Sequence, residues 1–215
     1  MTTGGDDPDL ATTRGVARAA AVLYAGSPLG ARTLARLRPR ICPFEAVIAL
    51  VPPGAHMLDI GCGNGLLLGL LASCGRLAHA TGIDFSGRTI SAARLMREGL
   101  PPAQANRLSF RRQNAHEPWP SGPFDVVALI DVLHHVEPGL QRPLIERACA
   151  AVAPGGMLLY KDMVARPRWR AGANRLHDLV LARQWIHHRA LDEVAPWAEA
   201  SGLACERRAR VNRWW

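Results

Sequence analysis

Along the chain, short and nearly continuous apolar runs alternate with segments whose apolar positions recur every three or four residues. The runs span residues 56–60, 78–84, 107–113, 125–131 and 157–161. Their unbroken hydrophobic character predicts strands buried on both faces. Between them, residues 65–73, 87–97 and 140–152 carry the helical repeat. Strand, helix, strand in repetition predicts an α/β fold with a doubly wound, mostly parallel sheet and helices on both faces. Ahead of the sheet, residues 16–38 read as helical with a break at "GSPLG" (26–30), and 42–50 as a short helix with Pro43 suited to its first turn. Beyond the fifth run the pattern changes. Residues 165–189 are rich in Arg, His and Trp, with Leu176, Leu179, Val180 and Arg183 at helical spacing, and read as an amphipathic cap. Residues 192–201 then predict a helix and 203–210 a sixth strand.

Length divides this pattern into parts. The 215 residues suit one domain with a substantial core and are short for two. Residues 1–15 are polar, Gly-rich and acidic and read as a loose tail; 16–53 form a helical extension, and 54–215 the main domain. No basic stretch followed by an apolar one marks a secretory leader. The longest apolar run, "LLLGLLAS" from Leu66, falls far short of the roughly 20 residues of a membrane span. Five scattered cysteines without CxxC spacing fit reduced thiols in a cytoplasm rather than a disulfide frame.

Charge adds a second layer. The net charge is +8, and Lys161 is the sole lysine among 26 basic residues. A GC-rich genome accounts for such an arginine bias; a surface that meets an acidic carrier protein, a membrane face or nucleic acid would account for it too. Where arginine serves nearly everywhere, one lysine points to a place that needs a compact ammonium.

The candidate chemistry starts at "LDIGCGNG" (58–65), where the first strand turns into the first helix of the sheet. Glycines let a backbone turn sharply and let a ligand approach closely. Asp84 follows Gly65 by about twenty residues and ends the second strand, where a carboxylate accepts ribose hydroxyls. The spacing is G-x-G-x-G rather than the dinucleotide G-x-G-x-x-G, and Asp59 precedes it. A carboxylate there repels a pyrophosphate but suits the ammonium of a methionine moiety, which favours S-adenosylmethionine.

These motifs resemble the class I S-adenosylmethionine-dependent methyltransferases. "GIDFS" (82–86) is similar to their acidic second strand end, "QNAHEPW" (113–119) to their adenine segment, "DVLHHV" (131–136) to their fourth strand end, and "APGG" (153–156) to the turn before the fifth strand. The resemblance covers roughly residues 40–210 and implies a Rossmann-like sheet. It implies that Asp59, Gly61, Cys62, Gly63, Asn64 and Gly65 line the methionine and ribose, with Asp84 on the ribose hydroxyls. Phe85 would pack on the adenine with Ser86 beside it, while Asn114, Ala115 and His116 would contact its edge. Asp131 would stand at the rim near the sulfonium. S-adenosylhomocysteine would be the product. Family members usually finish with an antiparallel pair of strands, and "VNRWW" (211–215) leaves little room for the second.

A positioned base assists transfer to a hydroxyl or ammonium. His134 and His135 follow Asp131 closely, and three readings compete: a base at His135, ordinary packing, and a metal site of Asp-x-x-His-His form, ranked in that order. Lys161 and Asp162 end the fifth strand; Lys161 would hold an anionic group of the acceptor or neutralise Asp131 and Asp162. Asp162, His177 and Trp185 are candidate acceptor contacts. The expected function is methyl transfer, at oxygen, to a small, lipid-like or carrier-bound acceptor. A nucleic-acid methyltransferase is the first alternative, supported by "RPRWR" (166–170) and "RRARVNRWW" (207–215) but lacking an N-P-P-Y-type tetrad after the fourth strand. A non-catalytic S-adenosylmethionine-binding protein is the second.

Overall fold

In the computed structural model, which describes residues 9–162, 187 and 189–211, five parallel strands form one sheet in the order β3–β2–β1–β4–β5. The strands are β1 (Ala55–Ile60), β2 (Leu77–Asp84), β3 (Leu108–Arg112), β4 (Phe124–Ile130) and β5 (Val152–Lys161). Chain order leaves β1 in one direction through β2 to β3 and in the other through β4 to β5. The switch point therefore lies between β1 and β4, where such sheets bind ligands beyond the strand carboxyl ends. Leu58 is in register with Thr81 on one side and Val127 on the other.

Side chains alternate across the pleat, so each strand feeds two cores. Met57, Ala80, Val126 and Ala128 pack with α3 (Phe44–Leu50), α4 (Leu66–Ser73) and α5 (Gly87–Glu98) on one face. Leu58, Ile60, Ile83, Val127 and Leu129 pack with α7 (Pro138–Ala150) and α8 (Leu191–Ala200) on the other. The short α6 (Pro102–Ala105) lies between α5 and β3. Every residue from Leu66 to Ala72 in α4 is buried. A helix apolar all round needs cover on both sides. The sheet supplies one side, and α1 (Thr13–Leu23), which packs against both α4 and α2 (Leu29–Ile41), supplies the other.

Three expectations change. The loose tail does not extend to residue 15: α1 begins at Thr13, because the Thr12 hydroxyl accepts from the Gly15 N–H at 3.0 Å and Leu10 is buried. "APGG" is a bulge inside β5 rather than a turn before it. Phe124 pairs with Val152 and Val126 already with Met157, so β5 carries the extra residues between those two pairs. Residues 203–210 form no strand, because "ACERRAR" offers no apolar face to bury and stays exposed. The cap at 165–189 falls, apart from residues 187 and 189, outside the described residues, as do His177, Trp185 and residues 212–215. No helix among the described residues is long and apolar enough to cross a membrane.

Candidate active site

The glycine loop between β1 and α4 is held in place by its own chemistry. Gly61 and Gly65 adopt φ of 71° and 81°, in the left-handed region that favours glycine. A β-carbon on Gly61 would come 2.5 Å from Val132, and one on Gly65 2.8 Å from the Phe110 ring. Both positions therefore exclude a side chain twice over. The Gly61 and Cys62 N–H groups donate to the Ile83 carbonyl at 2.8 and 3.0 Å, and that of Gly63 to Asp84 Oδ2 at 3.0 Å. A loop whose amides are engaged this way has few left to cradle a pyrophosphate. From the other side, the buried Tyr24 hydroxyl donates to the Asn64 carbonyl at 2.5 Å, fastening α1 to the loop.

Asp84 is an anchor as well as a candidate ligand. Its Oδ1 accepts from the Ser86 N–H at 2.8 Å and from the Thr89 hydroxyl at 3.0 Å. Phe85, next in sequence, is 59% exposed, an unusual state for so large an apolar ring and one that leaves a face open for stacking. Further along the rim, the Asn114 Oδ1 accepts from the His116 N–H at 3.0 Å, forming a turn, while the Trp119 indole N–H and Arg147 both donate to the Ala115 carbonyl. The segment Asn114–His116 is thereby rigid, and the amide nitrogen of the Asn114 side chain is not needed for that turn.

Three carboxylates, Asp59, Asp84 and Asp131, face two cations, Arg38 and Lys161, around the switch point. Asp59 is 2% exposed. Burial first, and then the charge of Asp84, push its carboxyl from 3.8 up to about 7, with Arg38 opposing them. Asp131 stands in the left-handed region at φ 57°, rare for any residue but glycine. Lys161 Nζ lies 2.5 Å from its Oδ1, and Arg38 Nη2 3.5 Å from its Oδ2. Burial works against its ionised form, but Lys161, Arg38 and His134 outweigh burial and hold the carboxyl below its ordinary value.

Asp59 gives a pH prediction. An acid whose folded value is raised is protonated in the fold while already ionised in the unfolded chain. Stability therefore falls as pH rises between 3.8 and about 7. Relative to Asp59→Asn, the wild type is expected to lose on the order of 1.4 kcal/mol per pH unit across that window. Urea denaturation of both proteins at several pH values checks this; parallel curves would return Asp59 to an ordinary carboxylate.

Beyond β4, Leu133–His135 forms a single 3₁₀ turn in which the two histidines part ways. His134 is buried, its Nδ1 2.5 Å from Asp162 Oδ1 and its N–H donating to Asp162 Oδ2 at 3.1 Å. His135 is exposed, with its ring centroid 4.1 Å from that of His134. The fully buried Gln141 amide donates to the carbonyls of Leu133, Val136 and His187, locking the turn from below. Among the described residues, no group of three or more His, Cys, Asp or Glu is arranged to hold a metal ion.

The structure thus brings Asp59, Gly61–Gly65, Asp84, Phe85, Ser86, Asp131 and Lys161 to the carboxyl ends of β1, β2, β4 and β5, the edge along which the ligand crevice of such sheets lies. It divides the pairing expected of Lys161, which meets Asp131, while Asp162 goes to His134. Tyr24, Arg38 and Gln141 are additions that sequence reading missed. Tyr24, as one of two tyrosines, carried the same signal of rarity that singled out Lys161; Arg38 and Gln141 carried none. Lys161→Arg is expected to keep the fold and cofactor affinity while lowering turnover, because the longer planar guanidinium cannot occupy the ammonium's place on Asp131. Kinetics of the variant with an identified acceptor check this, and a wild-type rate would make the lysine incidental.

Comparison with known proteins identifies the family and the fold. The profile of a methyltransferase domain family matches residues 31–207. The chain is 31% identical over 169 residues to a ubiquinone biosynthesis O-methyltransferase of Xanthomonas axonopodis pv. citri, covering 73% of this chain and 66% of the relative. It is 34% identical over 177 residues to a trans-aconitate 2-methyltransferase of Paracidovorax citrulli, covering 80% of this chain and 58% of the relative. The fold is shared with an O-methyltransferase family protein from Burkholderia thailandensis, at a TM-score of 0.63 and 22% identity over 87% of this chain and 58% of the other. The chain spans about half to two thirds of the length of the curated relatives it matches.

Proposed function

The chain belongs to the methyltransferase domain family, with the class I S-adenosylmethionine-dependent fold, and we propose that it methylates an oxygen atom of a small or lipid-like acceptor. The observation that carries this reading is the turn beyond β4, where an exposed imidazole rests on a buried one fixed by a carboxylate, next to the Asp131–Lys161 pair. The curated relatives include proteins named as O-methyltransferases, which agrees with it.

The crevice fits the cofactor. A methionine moiety carries one ammonium and one carboxylate, and the crevice offers both complements: buried Asp59 for the first, Arg38 for the second. Asp84 would hold the ribose hydroxyls, Phe85 the adenine face, and Asn114, Ala115 and His116 its edge. When bound, S-adenosylmethionine supplies a methyl group on an electrophilic sulfonium, so the protein's task is chiefly alignment. Asp131 and Lys161 neutralise each other at the rim and keep unbalanced charge from the reacting centre. His135 accepts the acceptor's hydroxyl proton on its imidazole, while His134, pinned by Asp162, sets the orientation of the ring above it.

The test is methyl transfer by the full chain from labelled S-adenosylmethionine to a panel of phenols, carboxylates, amines and RNA. Label on a phenol or carboxylate oxygen is the expected result. Label on RNA, with binding that weakens steeply in salt, would replace this reading by the nucleic-acid one. Cofactor binding with no transfer to any of them would make the protein a binder.

A further inference from the structure

From Leu10 to Phe44 the chain carries six arginines and no acid. The stretch contains α1 and α2, and five of those arginines, Arg14, Arg18, Arg32, Arg36 and Arg40, are exposed. Arg88, also exposed, lies within 3.9 Å of where a side chain on Gly30 would begin, and so extends the same surface. The bland reading of an arginine bias is codon usage, but codon usage does not remove aspartate and glutamate from 35 consecutive positions.

Large apolar side chains stand among these arginines. Val22 and Leu29 are each 76% exposed, Leu34 50% and Leu37 42%. Single exposed leucines are ordinary; four such residues within one basic helical pair are not. On α2, Leu34 and Leu37 sit three apart with Ile41 four further on, a stripe along one side of the helix. Arg32, Arg36 and Arg40 recur every four residues on another side. The inner side of α2 carries buried Ala35 and Pro39, with Arg38 reaching the crevice.

We propose that the outer face of α1 and α2 docks on the surface of an anionic lipid membrane, with the leucine stripe entering the headgroup layer and the arginines on lipid phosphates. A helix lying in the interface combines these two features: arginines on its polar side and projecting leucines on the other. An acidic protein would satisfy the arginines but not the projecting apolar side chains, and a second copy of this chain would bring arginine against arginine. Because α2 also lines the crevice, docking holds the site at the lipid surface. The proposal rests on the surface alone and stands whichever acceptor is methylated.

The experiment is co-sedimentation of the full chain with vesicles of phosphatidylcholine, with and without about a third phosphatidylglycerol. The expected result is binding to the anionic vesicles only, weakened by salt. A Leu34→Ser/Leu37→Ser variant should bind at least several-fold more weakly. An Arg32→Gln/Arg36→Gln/Arg40→Gln variant should lose about fivefold per arginine, on the order of a hundredfold together. Both should retain wild-type affinity for S-adenosylhomocysteine, which shows that they fold. Failure of the wild type to sediment, or undiminished sedimentation of both variants, overturns the proposal. A wild-type dimer in light scattering that the leucine variant abolishes, with vesicles ignored, assigns the face to a second copy and overturns it as well.

Discussion

Asp84→Ala is expected to lower the affinity for S-adenosylhomocysteine by on the order of a hundredfold or more, since each hydrogen bond from a ribose hydroxyl to a carboxylate is worth about 1.5–3 kcal/mol. Calorimetric titration measures this directly. The same substitution also removes the acceptors of Gly63, Ser86 and Thr89, so some loss of affinity comes from a loosened loop. Thr89→Val separates the two contributions. It deletes one anchoring donor while leaving the carboxylate in place, and it should lower the melting temperature with little change in affinity. If Asp84→Ala binds S-adenosylhomocysteine as the wild type does, the cofactor does not sit on β2 at all.

His135→Ala is expected to cut the maximal rate by ~10²–10⁴-fold while cofactor affinity stays near wild type. The ring is exposed and rests against that of His134, so its removal should cost little stability. His134→Ala should behave differently. It leaves Asp162 buried without its imidazole partner, and both rate and melting temperature should fall. A full rate for His135→Ala across the pH range, combined with a lost rate for His134→Ala, would transfer the role of base to the buried ring.

The sheet was legible because its strands are buried on both faces and therefore read as unbroken apolar runs. The glycine loop was legible because two of its positions tolerate no β-carbon, and Asp84 because a strand and a helix of fixed length separate it from that loop. The strand expected at residues 203–210 does not form, because nothing apolar backs it there. The ends of the apolar run hid the start of β5, since "APGG" bulges without leaving the sheet. The roles of adjacent histidines were beyond reach for a plain reason. A 3₁₀ turn sends neighbouring side chains in different directions, and only the fold decides which of His134 and His135 meets Asp162. Arg38 reaches Asp131 through tertiary packing of α2, which no spacing within α2 encodes.

The hydrogen bond from Tyr24 to the Asn64 carbonyl has a consequence for the N-terminal helices. It ties a layer outside the sheet to the loop that would close around the cofactor. Coupling of this kind is reciprocal: whatever factor α1 contributes to cofactor affinity, bound cofactor returns to α1 as protection against local unfolding. The helical extension and the ligand would then hold each other in place, and loss of either would release a protease-sensitive arm at the front of the chain.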